Sequence, residues 1–268
     1  MAKKIEDHIL GVEITEHSLK WVQRSLSSNV VNLIHIEPLD AAEFDTPGHL
    51  TGKFKLFVKR YRGALKTRDV AVCVPAYMGR MIALSLDPAE DDLRGAVGWE
   101  LEQQSVGPRS RFWFDFQESP PPAGRYLVAA VEERRAQLVV TSFQRAKLNP
   151  ISFLVDGVSL CNLFFNAYPS HPGVAALADI DARRSQLCLV CDGQLRENEF
   201  VMAQAPAKPD SAQRLAKTLQ TRLTEMSRQS GSGEGELKKI YLSGDNLADP
   251  HFKEAHVSNF TIATEVVE

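Results

Sequence analysis

The side chains able to do chemistry in this chain are few and dispersed. Four cysteines, Cys73, Cys161, Cys188 and Cys191, include one pair at ligand-like spacing, Cys188-Leu-Val-Cys191. Such a pair holds a metal or a redox centre when both thiols reach one side. This pair lies in a strand-like run, where residues three apart point to opposite faces. No second cysteine or histidine pair stands near it, so all four thiols read as small buried hydrophobes. The seven histidines form no HxH or HxxxH pair, and none is assigned to catalysis or metal. Lys53, Lys55, Lys59, Arg60, Arg62, Lys66 and Arg68 form a dense basic run. It reads as the solvated face of a helix, the alternative being contact with anionic lipid or an acidic partner.

Composition narrows the field further. The 268 residues are 44% hydrophobic and 24% charged, with a net charge of −3 and a pI of about 6.2. That is ordinary globular composition, enough for one large domain or two lobes of about 100–150 residues. The slightly acidic balance argues against a nucleic-acid partner. No apolar run reaches membrane-spanning length. The opening Met1-Ala-Lys-Lys-Ile-Glu-Asp-His8 lacks the apolar centre of a signal peptide. With no disulfide framework, a cytoplasmic location is expected.

The elements that must position these residues emerge from periodicity. Runs at His8 to Thr15, Ser18 to Arg24 and Val30 to Ile36, joined by short polar turns, predict an antiparallel meander. A helix over 50–64 precedes a buried strand, Asp69 to Val74, stopped by Pro75. A strand from Arg80 to Leu86 leads to Asp87-Pro88 and the acidic Glu90, Asp91 and Asp92, the signature of a helix start. Leu93, Ala96, Val97 and Leu101 share one face of that helix, and Gly107-Pro108 ends it. Strands at Arg111 to Phe116 and Tyr126 to Val131 flank a stiff tip at Pro120 to Pro122; Trp99 and Trp113 are expected to pack inside this region. A helix over 132–147, a strand from Ile151 to Val155 and an apolar helix from Gly157 to Asn166 come next. Tyr168-Pro-Ser-His-Pro-Gly173 reads as a junction. Beyond it the opening pattern restarts, with strands at Val174 to Ile180, Gln186 to Cys191 and Gln194 to Met202. A helix from Asp210 to Arg228, a flexible loop at Ser230 to Gly235 and strands at Leu237 to Leu242 and Phe260 to Val267 complete the chain.

Two blocks that each open with a meander, then helix and strand, indicate internal duplication. This is the plan of the actin-like fold, in which two lobes hold a nucleotide, an analogy of fold and not of function. The expected architecture is α/β, a two-lobed actin-like (ribonuclease H-like) fold. Its first lobe spans 1–167 and contains a small strand–helix–strand insert over about 78–150; a shortened second lobe spans 168–268. The middle of the chain carries a narrower resemblance. The stretch from Arg80 to Trp99-Glu100, then Phe114-Asp115-Phe116, Tyr126 to Glu133, Ala146-Lys-Leu-Asn-Pro150 and Val155-Asp156-Gly157 resemble, in order and spacing, the PilM proteins of type IV pilus assembly, actin-like proteins of the FtsA/PilM type. The resemblance covers essentially the whole chain.

That resemblance implies a nucleotide site built from three turns. In the family the first reads G-[IV]-D-[IL]-G-x-x-x-[IV]-K, here Gly11-Val-Glu-Ile-Thr-Glu-His-Ser-Leu-Lys20. The second reads D-[IL]-G, here Asp179-Ile-Asp181, and the adenosine-side turn reads [LI]-[ST]-G-G, here Leu242-Ser-Gly-Asp245. By resemblance, Glu13, Thr15, Lys20, Asp179, Asp181 and Gly244 are the residues of an ATP site with its Mg2+ companion; no catalytic residue and no metal site of the protein's own is assigned. All three turns depart from the pattern. Glycine allows backbone N–H groups to approach phosphate closely, and Thr15 and Asp181 replace such glycines. A carboxylate about 4 Å from a phosphate charge is repelled by about 1–4 kcal/mol, unless Mg2+ bridges them. The departures together predict a weak or lost ATPase. Only Ala203 to Pro209 separates the second meander from its helix, where relatives carry a helical subdomain over the adenine; past the last strand relatives continue into another helix.

The resemblance further implies an adaptor, cytoplasmic and peripheral at the inner membrane, reaching the membrane only through partners. It would hold the cytoplasmic tail of a PilN-like inner-membrane protein beside the insert, against Arg80, Ile82, Leu84, Leu86 and Val97. It would also relay contacts to assembly ATPases, and self-association is compatible with this role. Three other readings stand beside it. One is an active ATPase that switches partner affinity; another is a GspL-like cytoplasmic component of type II secretion. The third, a sugar- or acetate-kinase-like phosphotransferase, needs an acidic base in the cleft that no residue here supplies.

Overall fold

Apolar residues at every second position set the first sheet. In a computed structural model the chain is described over residues 7–15, 17–40, 47–75, 78–87, 89, 91–104, 111–118, 124–169, 171, 173–181, 184–202, 209–229, 237–248, 253–254 and 260–267. Strand β1 (His8–Ile14) buries Leu10, Val12 and Ile14, and β2 (Ser18–Ser25) buries Leu19 and Trp21. With β3 (Val31–Pro38) they form the antiparallel meander expected, Glu13 opposite Lys20 and Val22 opposite Ile34. Helix α1 (Pro47–Arg60) buries Leu50, Phe54 and Phe57, one face at helical spacing. Strand β4 (Asp69–Val74) then pairs parallel with β1.

A small sheet is inserted next, formed by β5 (Gly79–Ser85), β6 (Phe112–Glu118) and β7 (Arg125–Glu132) in the order β5-β7-β6. Its helix, α2, spans Leu93–Gln103 and starts later than the sequence suggests. The Asp87 carboxylate instead accepts the Ala89 N–H at 2.9 Å, making a local turn. Val97 and Leu101 fill the inner face of α2 as expected. Trp99, two residues from Val97, is carried to the far side of the helix and is 60% exposed. Trp113 is 38% exposed and meets Phe153 edge-on at 6.5 Å. Neither indole packs inside, contrary to the expectation from sequence.

Helix α3 (Glu133–Arg145) and strand β8 (Asn149–Val155) close the first block, whose sheet runs β3-β2-β1-β4-β8. Its core is aromatic: Trp21 stacks on Phe57 at 3.8 Å, and Phe54 on Phe143 at 4.1 Å. Such pairs add about 0.5–1.5 kcal/mol beyond the area they bury. Gln23 is buried with them and fully satisfied. Its amide N–H groups reach Asn32 Oδ1 at 2.7 Å and Ala64 O at 3.1 Å, and its oxygen accepts the Lys66 N–H at 2.7 Å. This ties β2 to the chain that leaves α1.

After helix α4 (Asp156–Ala167) the pattern repeats. Strands β9 (Val174–Ile180), β10 (Arg184–Cys191) and β11 (Gln194–Met202) form a second meander. Asp192 and Gly193, at φ 48° and 78°, make the two-residue turn that suits the twist of a hairpin. Helix α5 (Pro209–Gln229), strand β12 (Lys239–Ser243), a 3-10 turn at Asp245–Ala248 and strand β13 (Ala263–Val266) complete the order β11-β10-β9-β12-β13. Both sheets thus place their strands in the same order, the duplication expected of an α/β, ribonuclease H-like architecture. One face of the second sheet packs Leu187, Leu189 and Cys191 with Leu215 and Leu219 of α5. The other packs Cys188, Val190 and Tyr241 with Cys161 and Phe164 of α4. Cys188 and Cys191 therefore face different cores.

The chain groups into two compact units, residues 1–80, 94–115 and 129–156 in one and residues 81–93, 116–128 and 157–268 in the other. The expected helix end at Gly107-Pro108, the Pro120 to Pro122 tip, the Ser230 to Gly235 loop and nearly all of the short Ala203 to Pro209 connection lie outside the described residues. Among the described residues no helix is long and apolar enough to cross a membrane.

Candidate functional site

The first hairpin brings Glu13, Thr15 and Lys20 together. Glu13 and Lys20 are cross-strand neighbours and their charges pair at 3.2 Å, both partly exposed. An ion pair so exposed contributes about 0–1 kcal/mol, but each charge already has its counter-charge. Thr15 closes the turn. Its N–H donates to Ser18 O at 2.9 Å. Its hydroxyl oxygen accepts the N–H groups of His17 at 3.2 Å and Ser18 at 2.9 Å, and it also lies 2.9 Å from the Ser18 hydroxyl. These N–H groups belong to the turn that the resemblance assigns to phosphate. A side-chain oxygen from the turn itself occupies them.

In the second unit Asp179 and Ser243 are partners in parallel strands, and the Ser243 hydroxyl donates to Asp179 Oδ1 at 2.7 Å. Asp181 follows β9; its N–H donates to Arg184 O at 2.9 Å and its carboxylate accepts the Asp245 N–H at 3.4 Å. Gly244 crosses directly over the end of β9. Its φ is +115°, and a Cβ there would stand 2.4 Å from Ile180 O and 2.5 Å from Ile180 N. Glycine is thus required at 244 by one backbone passing over another. Among the described residues no three His, Cys, Asp or Glu side chains group as metal ligands.

The insert residues are placed as follows. The Arg80 guanidinium donates to Gln104 O at 3.4 Å and lies 5.0 Å over the Phe112 ring. Val97 and Leu84 are buried, and Ile82 and Leu86 are half-buried. Residues 80, 82, 84 and 86 alternate with those on the other side of β5. That other side, Met81 and Ala83, lines a cavity of about 240 Å³ with Arg125 and Leu127 of β7, Glu197 of β11 and Met226 of α5. Arg125 and Glu197 pair at 3.2 Å in its wall. Burial raises the Glu197 pKa above its ordinary value, against the opposing hydrogen bond and charge of Arg125. Sequence reasoning does not find this cavity. Its acid and base stand 72 residues apart, and no spacing rule joins two polar positions on separate strands.

No protein-family model and no curated protein matches the sequence. Solved structures do match. The PilM–PilN type IV pilus biogenesis complex aligns with a TM-score of 0.74 at 18% identity, over 99% of this chain and 89% of that one. A protein of actin-like ATPase fold from Bacteroides thetaiotaomicron aligns at 0.61 with 10% identity, over 98% and 92%. The cytoplasmic domain of EpsL, an inner-membrane component of the type II secretion system of Vibrio cholerae, aligns at 0.55 with 13% identity, over 88% and 82%. The chain has the actin-like fold, in a form similar to PilM.

Proposed function

We propose that this chain, PilM-like in fold, is a cytoplasmic adaptor of a type IV pilus or related secretion machine that holds the cytoplasmic tail of a PilN-like inner-membrane protein and no longer works as an ATPase. The observation that carries the reading is the closed phosphate turn. Thr15 supplies an oxygen to the N–H groups of His17 and Ser18, so a phosphate would have to displace a bond already made. Within the second unit Asp179 accepts the Ser243 hydroxyl and Asp181 the Asp245 N–H. Groups that already have protein partners gain little from exchanging them for a new one.

Tail binding is supported by the likeness to the PilM–PilN complex and by the cavity behind β5. That strand ends its small sheet, and an edge strand offers main-chain partners to an extended peptide while pockets beside it select side chains. Met81 and Met226 give part of the cavity wall an adaptable apolar surface, and Arg125, Arg196, Glu197, Asn198 and Glu199 give it a polar, charged remainder. The likeness to EpsL favours type II secretion as a second reading, with the same tail-holding role.

The test is calorimetric titration with a synthetic peptide carrying the cytoplasmic tail of the PilN-like protein of the same cell. Saturable binding is expected, weakened at least about tenfold when Ala83→Trp fills the cavity. Equal binding by both proteins would remove the cavity from the proposal, and no binding at all would overturn the adaptor reading.

A further inference from the structure

The segment from Pro47 to Arg68 holds seven Lys and Arg residues and no Asp or Glu, in a chain whose net charge is −3. The fold fixes which way these cations point. Leu50, Phe54 and Phe57 lock one face of α1 into the aromatic core. At 100° per residue, the arc away from that row carries Lys55, Leu56 and Lys59, with Arg60 on its flank and Arg62 just past the helix end, all exposed. No carboxylate among the described residues pairs with Lys55, Lys59, Arg60 or Arg62. Leu56 stands in the middle of them, 64% exposed. The Gln23 amide, bonded to Ala64 O and the Lys66 N–H, holds the segment beyond the helix in place.

We propose that this outward face of α1 docks on an anionic membrane surface, with Lys55, Lys59, Arg60 and Arg62 against lipid phosphate groups and Leu56 dipping between them. Charge complementarity carries the assignment: a cationic face with no Asp or Glu in its segment matches a partner of dense negative charge. The exposed Leu56 among the cations favours lipid over an acidic polypeptide, because an apolar side chain there can enter the boundary between headgroups and acyl chains while the cations stay at the phosphates. A few cations and one leucine give a weak, salt-sensitive attachment. Such contact adds to that made through a partner's tail by raising the local concentration of one relative to the other.

Co-sedimentation with vesicles of phosphatidylcholine, with and without phosphatidylglycerol, tests this on the full chain. The protein is expected to pellet with the anionic vesicles only, and to be released by high salt. The triple variant Lys55→Glu/Lys59→Glu/Arg60→Glu is expected to lose about a hundredfold in partition. Leu56→Ala, which keeps every charge, should lose severalfold. All four positions are exposed, and unchanged thermal unfolding checks that the variants fold. The triple variant should also match the parent in binding the tail peptide, which separates this proposal from the adaptor reading. Pelleting that ignores lipid charge, or a triple variant that pellets like the parent, overturns the proposal. So does capture by immobilised poly-glutamate without binding to anionic vesicles.

Discussion

Thr15 is the residue on which the fate of the first turn rests. Its hydroxyl does in this hairpin what a bound oxyanion does in a glycine turn, by accepting neighbouring backbone N–H groups. Removing it by Thr15→Ala should cost about 1 kcal/mol, read from the urea midpoint. With the turn closed, millimolar Mg-ATP should leave the thermal midpoint unchanged; a ligand at a hundred times its Kd would add about 2.7 kcal/mol and move it by several degrees. Gly244 has a different role. Gly244→Ala forces a Cβ into the Ile180 backbone at a positive φ, so a loss above about 2 kcal/mol is expected in the same urea assay. Glu197 gives a pH-dependent signature. Its pKa is raised by burial from the ordinary 4.5. The folded state therefore holds the proton more tightly, and the stability this contributes is present at acid pH and lost as pH rises through the raised value. Relative to Glu197→Gln, the parent should be more stable at about pH 4 than at about pH 7. The sequence reveals that these turns depart from the glycine pattern. It does not reveal what fills them, because Thr15 bonding within its own turn and a carboxylate reaching across to another strand depend on geometry that residue type alone does not specify.

At the scale of elements, the strand β13 is tied at one edge of its sheet. The Glu265 carboxylate accepts from the Tyr168 hydroxyl and pairs with Lys239, whose ammonium lies 4.9 Å over the Tyr241 ring. Glu265→Gln weakens both contacts, and faster hydrogen exchange along β13 than along β12 is the expected result. Most elements are legible in the sequence because their periodicity is strong, as in the alternation of β1 and β2 and the helical apolar row of α5. The start of helix α2 is not, since Asp87 bonds Ala89 and a cap and an isolated turn share the same residue types. For Trp99 size suggests burial, while its position on α2 relative to Val97 and Leu101 places it outward. The cavity behind β5 is not legible at all, since it exists only where strands distant in sequence converge.

Over the whole molecule, the same strand order is used twice but covered differently. In the second sheet both faces are buried, one under α4 and one under α5. In the first sheet burial alternates along β1 and β2, and on the face away from α1 it leaves Val22 and Ile34 side by side, with Ile36 two residues further along β3. Strand β3 also ends its sheet. A long apolar edge favours pairing with another chain, so light scattering should show association rising with concentration, and Ile34→Lys should abolish it without loss of stability. The duplication is legible in the sequence because each block restarts the meander; the unequal covering is not, because it depends on which helix packs where. One strand of the well-covered sheet makes that difference measurable. Cys188 and Cys191 sit on β10 with their thiols in separate cores, and burial raises the Cys191 pKa, which further slows its reaction. A slow thiol reagent would therefore act as two clocks on a single strand. Cys188 would report when the layer under α4 opens and Cys191 when the layer under α5 opens, so that their relative labelling times would reveal which side of the sheet loosens first.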